Sequence, residues 1–281
     1  MMNGPREPGR TLRDWGRELQ KVGVFTDIDG TLAPIVPTPD LAEVPVGLRG
    51  LLRELHGRCR VVAGVSGRSA SDALGLVGLE ELVYHGNHGF EVLRNGVVEV
   101  VPEAKPYAAA IEELERRARE ELEPLGAFIE EKGITASVHY RNVAPEAGER
   151  CVEFVRGEGA RLGLSITVGR GVVEARPPVQ VDKGTAVRRL IEEYEPRRAV
   201  FLGDDTTDLD AFRALEALRD EGALEEILRI GVASAEGPPE ITSEADIVVD
   251  GVEGVEAALR TLLGQAPRED SEDGLEGPGG L

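Results

Sequence analysis

With 281 residues, 41% of them hydrophobic, the chain can build two domains of ordinary size or one large α/β unit carrying an insertion, which excludes a disordered or fibrous protein. Its formal net charge of −20 opposes nucleic acid and anionic membranes as partners, since both need basic patches, and any phosphate pocket must bring its own positive charge. No apolar run nears the roughly 20 residues of a membrane span, and residues 1–20 lack the apolar centre of a signal peptide, so the expected location is the cytoplasm.

In chain order, the apolar run at residues 22–26 predicts a buried strand, and runs at 60–65 and 82–84 predict two more, with a helix over 71–76 between them. Residues 92–93 and 97–101 flank Asn95-Gly96, a two-residue hairpin signal. Residues 106–122 read as an amphipathic helix opened by Pro106. Paired strands follow at 127–130 and 136–140, around Gly133, then a helix over 145–162 and a hairpin of 164–168 with 172–176. Pro177-Pro178 marks a return. From there helices at 185–194, 209–219 and 255–263 alternate with strands at 199–202, 231–233 and 247–249. The outer parts thus predict an α/β fold with a Rossmann-like parallel sheet and helices on both faces. The middle predicts a smaller α+β unit inserted into it. The expected partition is a discontinuous core over 1–103 and 179–265, an insertion over 104–178, and a disordered tail over 266–281, where Gly, Pro and acidic residues dominate.

The first strand ends in Asp27-Ile28-Asp29-Gly30-Thr31-Leu32. Side chains two apart in an extended segment point the same way, so Asp27 and Asp29 can share a site suited to a divalent cation and a nucleophile. The second strand runs into Ser66-Gly67-Arg68, which offers a hydroxyl and free backbone N–H groups to a phosphate. Alone, Ser66 reads better as a helix cap. Lys183 is one of only four lysines among 32 basic residues, which suggests that a compact point charge is wanted there. The strand at 199–202 leads into Gly203-Asp204-Asp205-Thr206-Thr207-Asp208, whose carboxylates would repel one another without a cation among them. Asp208 also reads as the cap of the next helix.

The string from Asp27 to Val36 resembles the opening motif of the haloacid dehalogenase superfamily, and its continuation at Thr31–Val36 is similar to the trehalose-phosphatase branch. The resemblance implies an HAD-type core with a sugar-recognising cap, Mg²⁺ as cofactor and a small sugar phosphate as substrate. It carries the nucleophile to Asp27 and the general acid/base to Asp29, a role that asks for a carboxyl titrating near the working pH. It carries phosphate binding to Ser66, Gly67, Arg68 and Lys183. The metal set becomes Asp27, the backbone carbonyl of Asp29, and Asp204, with Asp205 and Asp208 in support. Leu209 stands where the family usually has Glu. Asn87 and His88 lie in a string similar to the family's "GxHG", and Glu131, Lys132, Arg141 and Glu174 lie in strings similar to its cap motifs, which makes all six expected sugar ligands. The implied reaction is hydrolysis of trehalose 6-phosphate. A phosphatase for sucrose phosphate or mannosyl-3-phosphoglycerate, or a non-catalytic metal-binding regulator, stays open.

Overall fold

A computed structural model describes residues 8–36, 41–234 and 237–266, so the tail expected over 266–281 lies outside the described residues from residue 267 onward. The first half of the chain supplies α1 (Pro8–Trp15), β1 (Val22–Thr26), α2 (Val46–His56), β2 (Val61–Val65), α3 (Ala70–Val77), β3 (Val83–Gly86), β4 (Glu91–Arg94) and β5 (Val97–Val100). The middle supplies α4 (Ala108–Leu122), β6 (Phe128–Glu131), β7 (Ala136–His139), α5 (Pro145–Leu162), β8 (Ser165–Gly169) and β9 (Val172–Arg176). The last part supplies α6 (Lys183–Tyr194), β10 (Arg198–Gly203), α7 (Asp208–Asp220), β11 (Glu226–Ala233), α8 (Pro239–Glu244), β12 (Ile247–Asp250) and α9 (Gly251–Leu263).

One sheet has eight strands in the order β12-β11-β10-β1-β2-β3-β4-β5. Its first six are parallel and the β4–β5 hairpin closes one edge antiparallel. Every residue of β1 is buried, as expected of a central strand covered on both faces. Trp15, Leu48, Leu52 and Val255 pack on one face, and Val187, Leu190, Phe212 and Leu215 on the other. The chain builds outward from β1 in both directions, to β2 and β3 on one side and to β10, β11 and β12 on the other. That switch of direction opens a crevice beyond the carboxyl end of β1.

The second sheet has four antiparallel strands in the order β6-β7-β9-β8. Ile129, Val138, Val173 and Ala175 pack against Ile111, Leu114, Ala118 and Val155 of α4 and α5. Strand alternation turns Glu130, Ser137, His139, Glu174 and Arg176 to the opposite, polar face. The two sheets meet where Ile134 enters a small apolar cluster with Phe90, Val101, Ala104 and Val181. A cleft of about 740 Å³ lies between them, lined by His88, Lys183, Thr207 and Asp210 on one side and Ser165 and Arg176 on the other.

The structure departs from the sequence reading in several elements. Three helices were not expected: α1, α2 and α8. In α2, Leu48, Leu51, Leu52 and Leu55 form a buried stripe at helical spacing, but two glycines dilute the pattern. Strand β11 starts at Glu226, five residues before the expected run, because Arg229 interrupts it and is accommodated by a bidentate pair with Asp246. The helix expected from residue 106 begins as a 3₁₀ turn over Lys105–Tyr107.

Candidate active site

Four carboxyl-terminal strand ends meet at the crevice: β1 delivers Asp27, β2 delivers Ser66, β3 delivers the Gly86–Gly89 turn, and β10 delivers Asp204. The Lys183 ammonium donates to Asp27 Oδ1 at 2.7 Å and to Asp208 Oδ1 at 2.6 Å, with all three side chains almost wholly buried. Asp27, Asp204 and Asp208 bring ligand oxygens within 4.8 Å of one another. Burial pushes the Asp27 carboxyl well above its ordinary range, and Asp208 and Asp204 add to that against the pull of Lys183. Asp204 is pushed up to about 6, chiefly by burial and then by Asp208. Burial alone would lower the Lys183 ammonium, but Asp208 and Asp27 outweigh it and hold it above its usual value. Three carboxylates around one ammonium leave the cluster short of positive charge, and an oxygen-only donor set suits a hard dication such as Mg²⁺.

The individual oxygens sort the carboxylates by role. Asp208 is engaged on both oxygens, because Oδ1 takes Lys183 and Oδ2 takes the backbone N–H groups of Asp204 and Asp205, each at 3.0 Å. It therefore braces the Asp204 loop. Asp204 Oδ1 accepts only a long hydrogen bond from Thr31, 3.3 Å, a residue the sequence reading passed over. Gly30 sits against Asp204 at φ +81°, where a Cβ would fall 2.0 Å from Oδ2. Asp205 does not join the cluster. It is exposed and its Oδ1 accepts the Thr206 N–H at 2.7 Å, the usual behaviour of Asp in a turn. Leu209 packs in the core beside Phe201 and Phe212, so its side chain leaves the carboxylate cluster undisturbed.

Asp29 lies half exposed beside the cluster, and both its oxygens accept from Arg68, at 2.6 and 2.7 Å. That corrects the expectation for Arg68, whose guanidinium fork matches a carboxylate in two-point fashion and is engaged by Asp29 rather than facing the phosphate site alone. Ser66 is buried, and its Oγ accepts the Arg68 N–H at 3.1 Å, which leaves the hydroxyl proton to donate. At Gly67 a Cβ would fall 2.7 Å from the His88 imidazole, so a larger residue there would push the ring off the 66–68 loop. Burial, then Lys183, Lys132 and Arg176, push His88 down to about 3, so the ring is neutral. Asn87 and His88 both hold positive φ, 50° and 57°, strained backbone for residues with side chains.

The inserted sheet redistributes the expected sugar ligands. Lys132 and Glu174 belong to its polar side, and Lys132 lies 3.5 Å from Glu130. Glu131 does not. It shares a face with Ile129 and is ion-paired to Arg119 of α4. Glu130 holds the position on the polar face instead, 2.8 Å from His139, and period-two alternation from Ile129 is the signal that could have found it. Arg141 is also misplaced: it lines a separate groove of about 900 Å³ with Arg156 and Arg170, bonds the Arg170 carbonyl, and does not border the cleft. Arg176, in the same string as Glu174, does border it. Asn87 is 1% exposed, with its amide spent on the Lys132 carbonyl at 2.8 Å and the Thr135 hydroxyl at 3.1 Å, so it has nothing left for a sugar.

Among the described residues no helix is long and apolar enough to cross a membrane. The family model described as trehalose-phosphatase matches residues 25–249. A trehalose-phosphate phosphatase of Mycobacterium marinum is 38% identical over 209 residues, which cover 71% of this chain and 53% of that protein, so the chain spans about half the length of this curated relative. A solved structure of a trehalose-6-phosphate phosphatase related protein superposes with a TM-score of 0.70 at 24% identity, covering 86% of this chain and 98% of that one. The C-terminal domain of a C. albicans trehalose-6-phosphate phosphatase superposes with 0.69 at 23%, covering 94% and 99%. At these identities the superpositions speak for the fold alone, an α/β core with a parallel-rich sheet and a second, inserted sheet. With its motifs in sequence order and its carboxylates gathered at one crevice, the chain belongs to the trehalose-phosphatase family.

Proposed function

We propose that this protein hydrolyses trehalose 6-phosphate to trehalose and inorganic phosphate, with residues 104–178 acting as a cap over the core. The observation that carries this reading is the buried Asp27–Lys183–Asp208–Asp204 cluster at the base of a cleft whose other wall is a polar sheet. Lys183, the Ser66 hydroxyl and the N–H groups of the 66–68 loop hold the phosphate. An Asp27 oxygen attacks phosphorus, forming the Asp27 O–P bond as the P–O bond to the sugar breaks. Asp29 gives its proton to the leaving sugar oxygen, then takes one from a water whose oxygen breaks the acyl phosphate. To carry that proton the Asp29 carboxyl must leave its two-point pair with Arg68, whose N–H groups engage both of its oxygens in this structure. Asp27 and Asp204, with the Asp29 carbonyl, would hold Mg²⁺, which would neutralise phosphoryl charge. A cytoplasmic setting fits a phosphorylated sugar, which does not cross membranes unaided.

Phosphate release across a panel of sugar phosphates tests the reading. Trehalose 6-phosphate should be preferred over sucrose phosphate and mannosyl-3-phosphoglycerate, and chelation should stop turnover. Equal rates on all three would remove the trehalose assignment, and no release from any of them would favour a non-catalytic metal binder.

Sugar hydroxyls need fixed donors and acceptors, and Glu130 and Lys132 supply them from the cleft side. Glu130→Ala should therefore raise KM for the sugar phosphate about tenfold, the worth of one charge-assisted hydrogen bond, and leave a bare aryl phosphate unaffected. Glu131→Ala removes only an exposed pair with Arg119 and should change neither within about twofold. Reversal of that order between the two glutamates would put the strand register, and with it the polar face, in error.

A further inference from the structure

Asn87 is buried and strained, yet touches no part of the cleft that a sugar could reach. Its partners explain the strain. Its amide N–H donates to the Lys132 carbonyl and its amide oxygen accepts from Thr135, the two ends of the turn that carries the strand from β6 into β7. Within that turn Lys132 N–H donates to the Thr135 carbonyl at 3.1 Å, and Ile134 is driven into the apolar junction with Phe90 and Val181. On its other side the same segment grips the phosphate loop: Asn87 N–H donates to Arg68 O at 2.7 Å, and His88 N–H donates to Ser66 O at 2.9 Å. Glu91 closes the circuit. It is 5% exposed, accepts the Ala70 N–H at 2.6 Å where α3 begins, and also bonds the Asn87 amide. Gly86 permits the crossing, since a Cβ there would meet Ala70 N at 2.1 Å.

We infer that Asn87 and Glu91 are positioning residues that lock the Lys132–Thr135 turn of the inserted sheet to the Ser66–Ala70 phosphate loop, so that Lys132 is fixed relative to the phosphate without any sugar contact from Asn87. The inference rests on the phosphatase reading for its kinetic consequence but not for its structural one.

Thr135→Val is nearly isosteric and removes a single buried hydroxyl from the lock. It should lower kcat/KM for trehalose 6-phosphate about fivefold, the worth of one neutral hydrogen bond, through KM, while aryl phosphate turnover stays within about twofold. Asn87→Ala should lower the ratio of sugar to aryl phosphate turnover by about tenfold. The double variant should be no worse than Asn87→Ala alone, because both remove the same link. Hydrogen exchange of the amides at 132–135 should quicken by about fivefold in each variant. Glu91→Gln, which keeps one acceptor oxygen but turns an N–H₂ toward one of the two donors that Glu91 accepts, should quicken exchange at 66–70 or at 132–135. Parallel losses on both substrates, effects that multiply in the double variant, or unchanged exchange at 132–135 would each overturn the lock. If the wild type releases no phosphate from trehalose 6-phosphate, the substrate reading fails, and the exchange arm alone still decides the positioning role.

Discussion

Asp27→Asn abolishes phosphate release, by about four orders of magnitude or more, and at the same time makes the metal-free protein harder to unfold. The first half follows from the nucleophile's place at the end of β1, since an amide cannot displace an alkoxide from phosphorus and the loss of one member of a catalytic unit removes nearly all of its effect. The second half follows from the charges around it. Three buried carboxylates share one ammonium, and burial holds Asp27 well above its ordinary range. Asparagine keeps the acceptor for Lys183 and sheds the surplus charge. Relief of about 1 kcal/mol would raise Tm by about 3 °C in a chain of this size. Mg²⁺ should stabilise the wild type more than the variant, because the variant has lost a ligand. The pH dependence has the same sign. With Asp204 pushed up to about 6 in the fold and titrating near about 4 when unfolded, the folded chain binds more protons in between. Stability contributed by Asp204 is thus present below about pH 4 and lost as pH rises through about 6. Calorimetry in chelator, wild type against Asp204→Asn, reads that slope, and a wild type whose stability rises across the window relative to the variant would sink the account of the cluster.

How far the sequence discloses this arrangement depends on which physical signal each residue carries. β1 and β10 are legible because a strand covered on both faces must be apolar throughout, so the sudden polar strings at Asp27 and Asp204 stand out as strand ends. Convergence of Asp27, Ser66, Asp204 and Lys183 follows from parallel topology, which sends all the carboxyl ends of the strands to one edge. The legible part stops where partners are chosen between side chains far apart in sequence. Arg68 finds Asp29 across 39 positions, and no local pattern marks that pairing. Glu131 and Glu130 are neighbours of identical type, and only the face occupied by Ile129 separates the one bound to Arg119 from the one beside His139. Arg141 sits two residues past His139, the end of β7, where the chain turns out of the sheet and strand alternation no longer fixes direction. Thr31 carries no signal of its own in the sequence, and only the fold brings Asp204 to it.

Lys183→Met destabilises the metal-free protein by about 3–5 kcal/mol, which is the usual consequence of stripping the counter-charge from buried ionic groups. The ammonium is 3% exposed and stands 2.7 Å from Asp27 and 2.6 Å from Asp208, so no solvent replaces it when it goes. A drop of about 10 °C in Tm in chelator is the expected reading. Mg²⁺ should restore a good part of that loss, since a dication can neutralise the same carboxylates, yet turnover should stay low because nothing then balances the phosphate against Asp27. Lys183→Arg should fare little better. The α6 start is packed against α7, where a Cβ on Gly184 would already lie 2.5 Å from the Asp210 carbonyl, and a planar fork cannot place its donors where one tetrahedral ammonium serves two carboxylates, one after β1 and one at the start of α7. This separates two explanations for a lysine in an arginine-rich chain. If chance in composition put it there, arginine would substitute at small cost in stability and activity. If the geometry of a shared point charge requires it, both substitutions fail in chelator and only the folding defect responds to metal.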